Sequence, residues 1–171
     1  MQYLLTLPIS CGNTHFHYQI SSTMQVRAAT LADIPLLAPL FDAYRVFYRK
    51  ESDLSAATAF LTARLNGGES RIYTAELVDG QLAGFVQLYP LWSSTRMAKL
   101  WLLNDLYVNP AYRGQGISLS LIDAAKELVK SSGACGMFLE TEVTNQIGNR
   151  LYPRAGFQLN KETNYYTWDA P

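Results

Sequence analysis

The stretch NDLYVNPAYRGQGISL at residues 104–119 constrains the fold most, because an apolar strand pattern runs there through a glycine turn into an amphipathic helix pattern. Gly114 and Gly116 allow positive φ angles, which bring successive backbone N–H groups toward one anion. The start of the following helix adds partial positive charge, and Arg113 adds a full charge. The stretch therefore predicts a phosphate-binding loop between a strand and a helix.

This loop differs from two common nucleotide-binding loops. A dinucleotide fingerprint needs a third glycine where Leu119 stands, and no Lys-Ser or Lys-Thr pair follows, as a nucleoside triphosphate loop would require. We therefore expect a ligand that carries a diphosphate and is neither NAD nor ATP.

Composition restricts the class of protein. A chain of 171 residues, 49% of them hydrophobic, suits one compact domain. Its 14 basic and 14 acidic side chains balance, so no overall charge attracts nucleic acid or an anionic membrane. No apolar run approaches the roughly 18 residues that cross a bilayer. Cys11 and Cys135 have neither metal-ligand nor redox spacing, which favours a reducing cytoplasm.

The first 23 residues are interpreted as a loosely ordered extension, with the domain beginning at Met24. Their apolar run lacks the basic segment of a signal peptide. Cys11, His15 and His17 have no fourth ligand in view, so we predict no metal site. Because these two histidines are the only ones in the chain, a histidine-based nucleophilic mechanism is disfavoured.

Hydrophobic periodicity, caps and turn residues predict an α/β order of elements. In chain order these are a strand at 24–28, a helix capped by Thr30, a helix capped by Asp53 or Ser55, strands at 72–78 and 81–91 around the Asp79-Gly80 turn, a strand at 100–108, a helix from about Ser118 to Gly133, a parallel strand at 137–143, and a closing hairpin of 157–161 and 165–169.

Two sequence blocks resemble one known family. The loop Arg113-Gly-Gln-Gly-Ile-Ser118 resembles the Gln/Arg-x-x-Gly-x-Gly/Ala loop with which GNAT acyltransferases hold the pyrophosphate of acetyl-CoA. Downstream, Asn145-x-x-Gly-x-x-Leu-Tyr-x-x-x-Gly-Phe157 resembles that family's Asn-x-x-Ala-x-x-Leu-Tyr-x-x-x-Gly-Phe segment. The resemblance spans residues 24–168. Shorter segments, among them Arg45-x-Phe-Tyr48, are similar to diamine acetyltransferases and to a small yeast histone and polyamine acetyltransferase.

The resemblance implies a GNAT fold, a central mixed sheet of about seven strands flanked by helices, in a single domain over residues 24–171. It also implies an N-acetyltransferase that moves the acetyl group of acetyl-CoA, without a metal, directly to a primary amine of a small molecule such as a polyamine or an amino acid. Two alternatives stay open, a protein or peptide acceptor and a non-catalytic CoA-binding regulatory module. A homodimer is a further expectation, since relatives often pair.

The resemblance also implies a set of residues that contact CoA. In the family the backbone of a bulged strand pairs with the pantetheine arm and aims an N–H at the thioester oxygen. The residues that match are Leu106, Tyr107, Val108, Arg113, Gly114, Gln115, Gly116, Ile117, Ser118, Leu119 and Asn145.

Tyr152 matches the tyrosine that many relatives use as the general acid toward the departing thiolate, with a packed tyrosine as the alternative. Pro153 departs from the pattern and biases the preceding residue away from helical geometry. Ser118 and Gly148 replace small residues of the family pattern without removing a reacting group.

An alkylammonium acceptor must lose a proton before it attacks. Asp105 and Glu142 are candidates for accepting this proton, and Glu140 lies on the same strand face as Glu142. Aromatic side chains are candidates for the acceptor pocket, with core packing as the alternative. These are Tyr44, Phe47, Tyr48, Tyr89 and Trp92.

Overall fold

The computed structural model describes residues 24–170, which form one five-stranded mixed sheet flanked by helices. The strand order is β1-β2-β3-β4-β5, in which β1 to β4 are antiparallel and β5 runs parallel to β4. The strands are β1 (Met24–Ala28), β2 (Arg71–Leu77), β3 (Leu82–Ser93), β4 (Ala98–Val108) and β5 (Met137–Phe138), and the helices are α1 (Ile34–Phe47), α2 (Leu54–Asn66), α3 (Ile117–Ser131) and α4 (Gln146–Arg154). None of these helices combines the length and apolar character needed to span a membrane.

The local signals explain most of these boundaries. Asp53, and not Ser55, caps α2, because its carboxylate accepts a hydrogen bond from the Ala56 N–H at 2.9 Å. The Asp79-Gly80 turn joins β2 to β3, with Gly80 at φ 81°. The predicted hairpin and both predicted N-terminal helices are confirmed, but Thr30 caps a short 3-10 turn at Leu31–Asp33, and α1 begins after it with Asp33 as its N-cap.

Two predictions at the C-terminal side are wrong. The strand expected over 137–143 is paired only at Met137–Phe138, and residues 157–170 contain no strand, so the sheet has five strands instead of about seven. The turn expected at residues 162–164 has no glycine, and the Glu162 N–H is held by the Asn160 side chain at 2.8 Å. The alternating apolar residues of this segment do not pack against the domain, since Tyr166 and Trp168 are 84% and 83% exposed.

The sheet separates two hydrophobic clusters. On one face, Leu37 and Leu61 from α1 and α2 pack against Phe85 of β3, all fully buried. On the other face, Leu121 and Ile122 of α3 pack against the sheet in the same way. Burial of these side chains is the main force that holds the layers together.

A β-bulge interrupts the ladder between β3 and β4. Gln87 pairs with Asp105 whereas Leu88 pairs with Leu103, so Asn104 is an extra residue in β4. Because side chains alternate between the two faces of a strand, one extra residue exchanges the faces of all residues that follow. Leu103 accordingly packs in the α3 cluster and Tyr107 in the cluster formed by α1 and α2. The bulge thereby turns Asp105 and Tyr107 toward α1.

Candidate active site

A cavity of about 210 Å³ opens where β5 separates from β4. The two strands pair only at Trp101 with Met137 and at Leu102 with Phe138, and beyond these pairs they diverge. Four segments line the cavity: the end of α1, the end of β4, the loop into α3, and residues 140–152. The cavity therefore lies at the C-terminal ends of two parallel strands, where ligands commonly bind in α/β sheets.

Within residues 24–170, the end of β4 has no strand partner on the side of this cavity. The Asn109 N–H donates to the Ala83 carbonyl at 2.9 Å, which continues the ladder with β3. Because backbone groups of an antiparallel strand point alternately to its two sides, those of Leu106 and Val108 point away from β3 and toward the cavity. The Val108 carbonyl accepts a hydrogen bond from Arg113 Nε at 3.0 Å. An extended amide chain can pair with this free edge.

The loop before α3 has the geometry of an anion site. Gly114 and Gly116 adopt φ angles of 78° and 80°, and a Cβ added at either position would meet no atom within 4 Å. The N–H groups of residues 114–118 have no acceptor among residues 24–170, whereas the Leu119 N–H donates to the Gly116 carbonyl at 3.0 Å. Free N–H donors at the start of a 15-residue helix favour a phosphate here. The Gln115 and Leu119 side chains do not line the cavity.

Tyr152 lines the opposite wall, on α4. Asn145 caps this helix by accepting from the Gly148 N–H at 3.0 Å, and its amide donates to Thr141 Oγ1 at 2.9 Å. Burial is the main cause that raises the pKa of Tyr152 to about 12, so its phenol stays protonated and able to donate. Pro153 does not end the helix at Tyr152, because α4 continues to Arg154. The Tyr152 ring packs edge-on against Phe157.

Asp105 lies behind the cavity wall. It is 5% exposed and does not line the cavity, but its neighbour Tyr44 does. Burial raises the pKa of Asp105, whereas hydrogen bonding by Asn104 favours the charged carboxylate. Asn104 Nδ2 lies 3.1 Å from both carboxylate oxygens. Asp105 therefore lies beside the cavity but does not line it.

The two glutamates of the loop after β5 differ in their surroundings. Glu142, predicted as a base, does not line the cavity and accepts a hydrogen bond from Arg49 Nη2 at 2.5 Å in an exposed ion pair. Glu140 lines the cavity. Arg49 follows the lining segment of α1, so its ion pair with Glu142 joins the two walls at this end.

Three of the five predicted aromatic residues line the cavity, namely Tyr44, Phe47 and Tyr48. Their rings are in edge contact, with centroids 5.0 Å apart for Tyr44 and Tyr48 and 5.2 Å for Phe47 and Tyr48. Tyr89 lies outside the lining and accepts from Gln87 Nε2 at 3.1 Å. Trp92 is also outside the lining and is 76% exposed.

Five lining residues had not been selected as site residues from the sequence, namely Asn104, Tyr112, Ile147, Gly148 and Leu151. Asn104 reaches the cavity because it is the bulged residue. The family resemblance implied a bulged strand here, but the hydrophobic pattern does not indicate which residue is bulged. Ile147 is 71% exposed. The sequence indicates it only as an apolar residue in the first turn of the helix that Asn145 caps.

The family model described as "Acetyltransferase (GNAT) family" matches residues 37–157. An uncharacterized N-acetyltransferase, YhfO, of Bacillus subtilis is 41% identical over 148 residues, which cover 86% of this chain and 99% of the relative. A probable acetyltransferase of Haemophilus influenzae is 31% identical, with 80% of this chain and 92% of the relative covered. The crystal structure of a probable acetyltransferase has a TM-score of 0.82 at 36% identity, covering 86% of this chain and 98% of that one. The chain therefore belongs to the GNAT family of acetyltransferases, and it is an acetyl-CoA-dependent enzyme of that family.

Proposed function

We propose that this enzyme acetylates a primary amine of a small cationic molecule, such as a polyamine or an amino acid, by direct transfer from acetyl-CoA in a ternary complex. The observation that carries the proposal is the meeting of three features in one cavity. These are free backbone donors for a diphosphate, a protonated tyrosine, and an aromatic wall.

The first part of the site would hold the diphosphate and the arm of CoA. Within residues 24–170 the N–H groups of residues 114–118 have no acceptor, and a Cβ added at Gly116 would meet no atom within 4 Å, so a phosphate can approach the backbone closely. The free edge of β4 at Leu106 and Val108 can pair with the amides of the pantetheine arm. Asn145 lines the same cavity and could contact CoA in addition to capping α4.

The second part would carry out the transfer. Tyr152 would protonate the departing thiolate, because its phenol is neutral at physiological pH and lines the cavity. Of the two carboxylates predicted as base, we favour Asp105 over Glu142, since Glu142 is engaged by Arg49 and Asp105 has no cation within 4 Å in the described chain. A positioned amine and thioester react far faster than free ones, which is the main contribution of the cavity shape.

The acceptor wall favours a small amine. Faces and edges of Tyr44, Phe47 and Tyr48 can hold an alkyl chain or a cation. The ion pair between Arg49 and Glu142 joins the two walls at one end of the cavity, which favours a small acceptor over an extended peptide.

Distant relatives are named for different acceptors. An aminoglycoside N(6')-acetyltransferase of Stenotrophomonas maltophilia is 23% identical over 150 residues. A putative ribosomal-protein alanine N-acetyltransferase of Bacillus subtilis is 31% identical over 90 residues. A peptide N-terminus is therefore the second candidate acceptor. The cytoplasmic location and the homodimer expected from the sequence stay predictions.

The test is turnover of acetyl-CoA against a pool of polyamines, amino acids, aminoglycosides and short peptides, with products identified by mass spectrometry. We expect an acetylated polyamine or amino acid. Acetylation of peptides alone would contradict the small-molecule acceptor. A rise in melting temperature with CoA but no acetylated product would contradict catalysis and support the regulatory module.

A further inference from the structure

Arg113 is the only cation among the described residues that line the cavity. Its Nε donates to the Val108 carbonyl at 3.0 Å, and its Cζ lies 5.8 Å from the centroid of the Tyr107 ring. The side chain is therefore folded back along the last residues of β4. It bonds to a neutral carbonyl, although the loop that begins at this residue has the geometry of an anion site.

The Val108 carbonyl is one of the backbone groups with which an extended ligand would pair. The next hydrogen-bonded pair of the ladder is Asn109 with Ala83, so the backbone groups of Val108 point away from β3 and toward the cavity. Arg113 meets this carbonyl and lines the same cavity. The side chain therefore occupies the side of β4 on which the arm of CoA would add as a further strand.

The hydrogen bond to Val108 is a weak hold on Arg113 when an anion is near. No carboxylate lies within 4 Å of the Arg113 guanidinium in residues 24–170. The side chain is exposed, and it also lines a second cavity between α1 and residues 110–113, so open space borders it on two sides. A guanidinium bonds more strongly to a phosphate than to a neutral carbonyl. A diphosphate at the N–H groups of residues 114–118 therefore favours rotation of the guanidinium away from Val108.

We propose that Arg113 is a positioning residue that couples the two parts of the CoA site, an inference that rests on the CoA site proposed above. Without ligand, Arg113 covers the Val108 carbonyl. When the diphosphate binds, the guanidinium turns to it, and the carbonyl becomes free to pair with an amide of the pantetheine arm. Binding of the diphosphate thereby strengthens binding of the arm, and by thermodynamic reciprocity the arm strengthens binding of the diphosphate.

This coupling discriminates against partial ligands. A thioester that lacks the diphosphate, such as acetylpantetheine, has to displace Arg113 from Val108 without giving the guanidinium a new partner. The expected loss of affinity is the size of one net hydrogen bond, about three- to tenfold.

The first experiment observes the Val108 carbonyl in the full chain by NMR, with ¹³C-carbonyl valine and ¹⁵N labels and the signal assigned by its loss in Val108→Ile. Saturating inorganic pyrophosphate is the probe. We expect it to shift the N–H resonances of residues 114–118 and to move the Val108 carbonyl resonance toward its position in ligand-free Arg113→Met. In Arg113→Met itself, pyrophosphate should leave the carbonyl resonance in place.

Arg71→Met is the matched control for this experiment, because Arg71 is an exposed cation on β2 that lines neither cavity. It should respond to pyrophosphate as the wild type does. Shifts of the N–H resonances of residues 114–118 without a shift of the Val108 carbonyl would overturn the coupling and leave the CoA site intact. If pyrophosphate shifted neither set of resonances, the anion site itself would be contradicted, and the coupling with it.

The second experiment measures the coupling by calorimetric titration of pantetheine, the arm without phosphate, in the absence and presence of saturating pyrophosphate. In the wild type and in Arg71→Met, pyrophosphate should lower the Kd of pantetheine by about three- to tenfold. In Arg113→Met the two Kd values should be equal, and both should match the wild-type value with pyrophosphate. Equal Kd values in the wild type, or the wild-type ratio retained in Arg113→Met, would refute the role of Arg113. Neither experiment uses an acceptor amine, so failure of the coupling is distinguished from failure of the proposed acetylation.

Discussion

Gly84 holds β3 close to the part of β4 that forms the floor of the cavity. A Cβ placed there would lie 2.6 Å from the Tyr107 carbonyl oxygen and 3.2 Å from Val108 Cα, both of them backbone atoms that no rotamer change can move. The strands would have to separate by about 0.8 Å to bring the shorter contact to the 3.4 Å at which ordinary van der Waals contact begins. Overpacking of this kind costs about 1–3 kcal/mol, and alanine recovers about 0.5–1 kcal/mol relative to glycine in a strand. We therefore expect Gly84→Ala to lower the free energy of unfolding by about 1–2 kcal/mol.

For a chain of 171 residues this loss corresponds to a melting temperature lower by about 2–8 °C, measured by calorimetry. Gly136→Ala is the matched control, because its added Cβ would meet nothing closer than Leu100 Cδ1 at 3.7 Å. Its melting temperature should equal or slightly exceed that of the wild type. If Gly84→Ala melted at the wild-type temperature, the close approach of β3 to β4, and with it the register that places Leu106 and Val108, would be refuted.

Three further predictions follow from the site and its supports. Gly116→Val should weaken acetyl-CoA binding at least tenfold by calorimetric titration, while Gly80→Val, with the same positive φ in the β2–β3 turn, should lose stability but keep affinity. Since hydrogen bonding by Arg27 lowers the pKa of Asp33 to about 2, this carboxylate should stabilise the fold by about 2 kcal/mol above pH 4 and lose that contribution between pH 4 and 2. Asp33→Asn should remove this dependence in urea unfolding. Because the pKa of Tyr152 is raised to about 12, turnover should not fall between pH 8 and 10 through loss of the acid.

Local signals were sufficient for the parts of the fold that depend on near neighbours. The Asp79-Gly80 turn, the cap at Asp53 and the glycine loop at residues 114–116 each need a special backbone angle or a short-range hydrogen bond, so the residue type reveals them. The loop and the second block also identify the family. Residues 113–118 of the loop and 145–152 of the second block supply about half of the residues that line the cavity.

Long-range features could not be read in this way. The bulge at Asn104 lies in a run that is apolar on both faces of the strand, so a shift of one residue leaves no mark in the pattern. The ion pair of Arg49 with Glu142 joins residues 93 positions apart, and it engages Glu142, whereas Glu140 lines the cavity. The alternation around Tyr166 and Trp168 is typical of a strand, but strand formation needs a partner edge that these residues do not find.

The most direct test of catalysis in this cavity compares Tyr152→Phe with the wild type in acetyl-CoA turnover and in acetyl-CoA affinity. The variant keeps the ring that packs against Phe157 and loses only the hydroxyl. We predict turnover lower by about 10²–10⁴-fold with an unchanged Kd for acetyl-CoA, and a wild-type rate for Tyr73→Phe. Unchanged turnover in Tyr152→Phe would contradict the account.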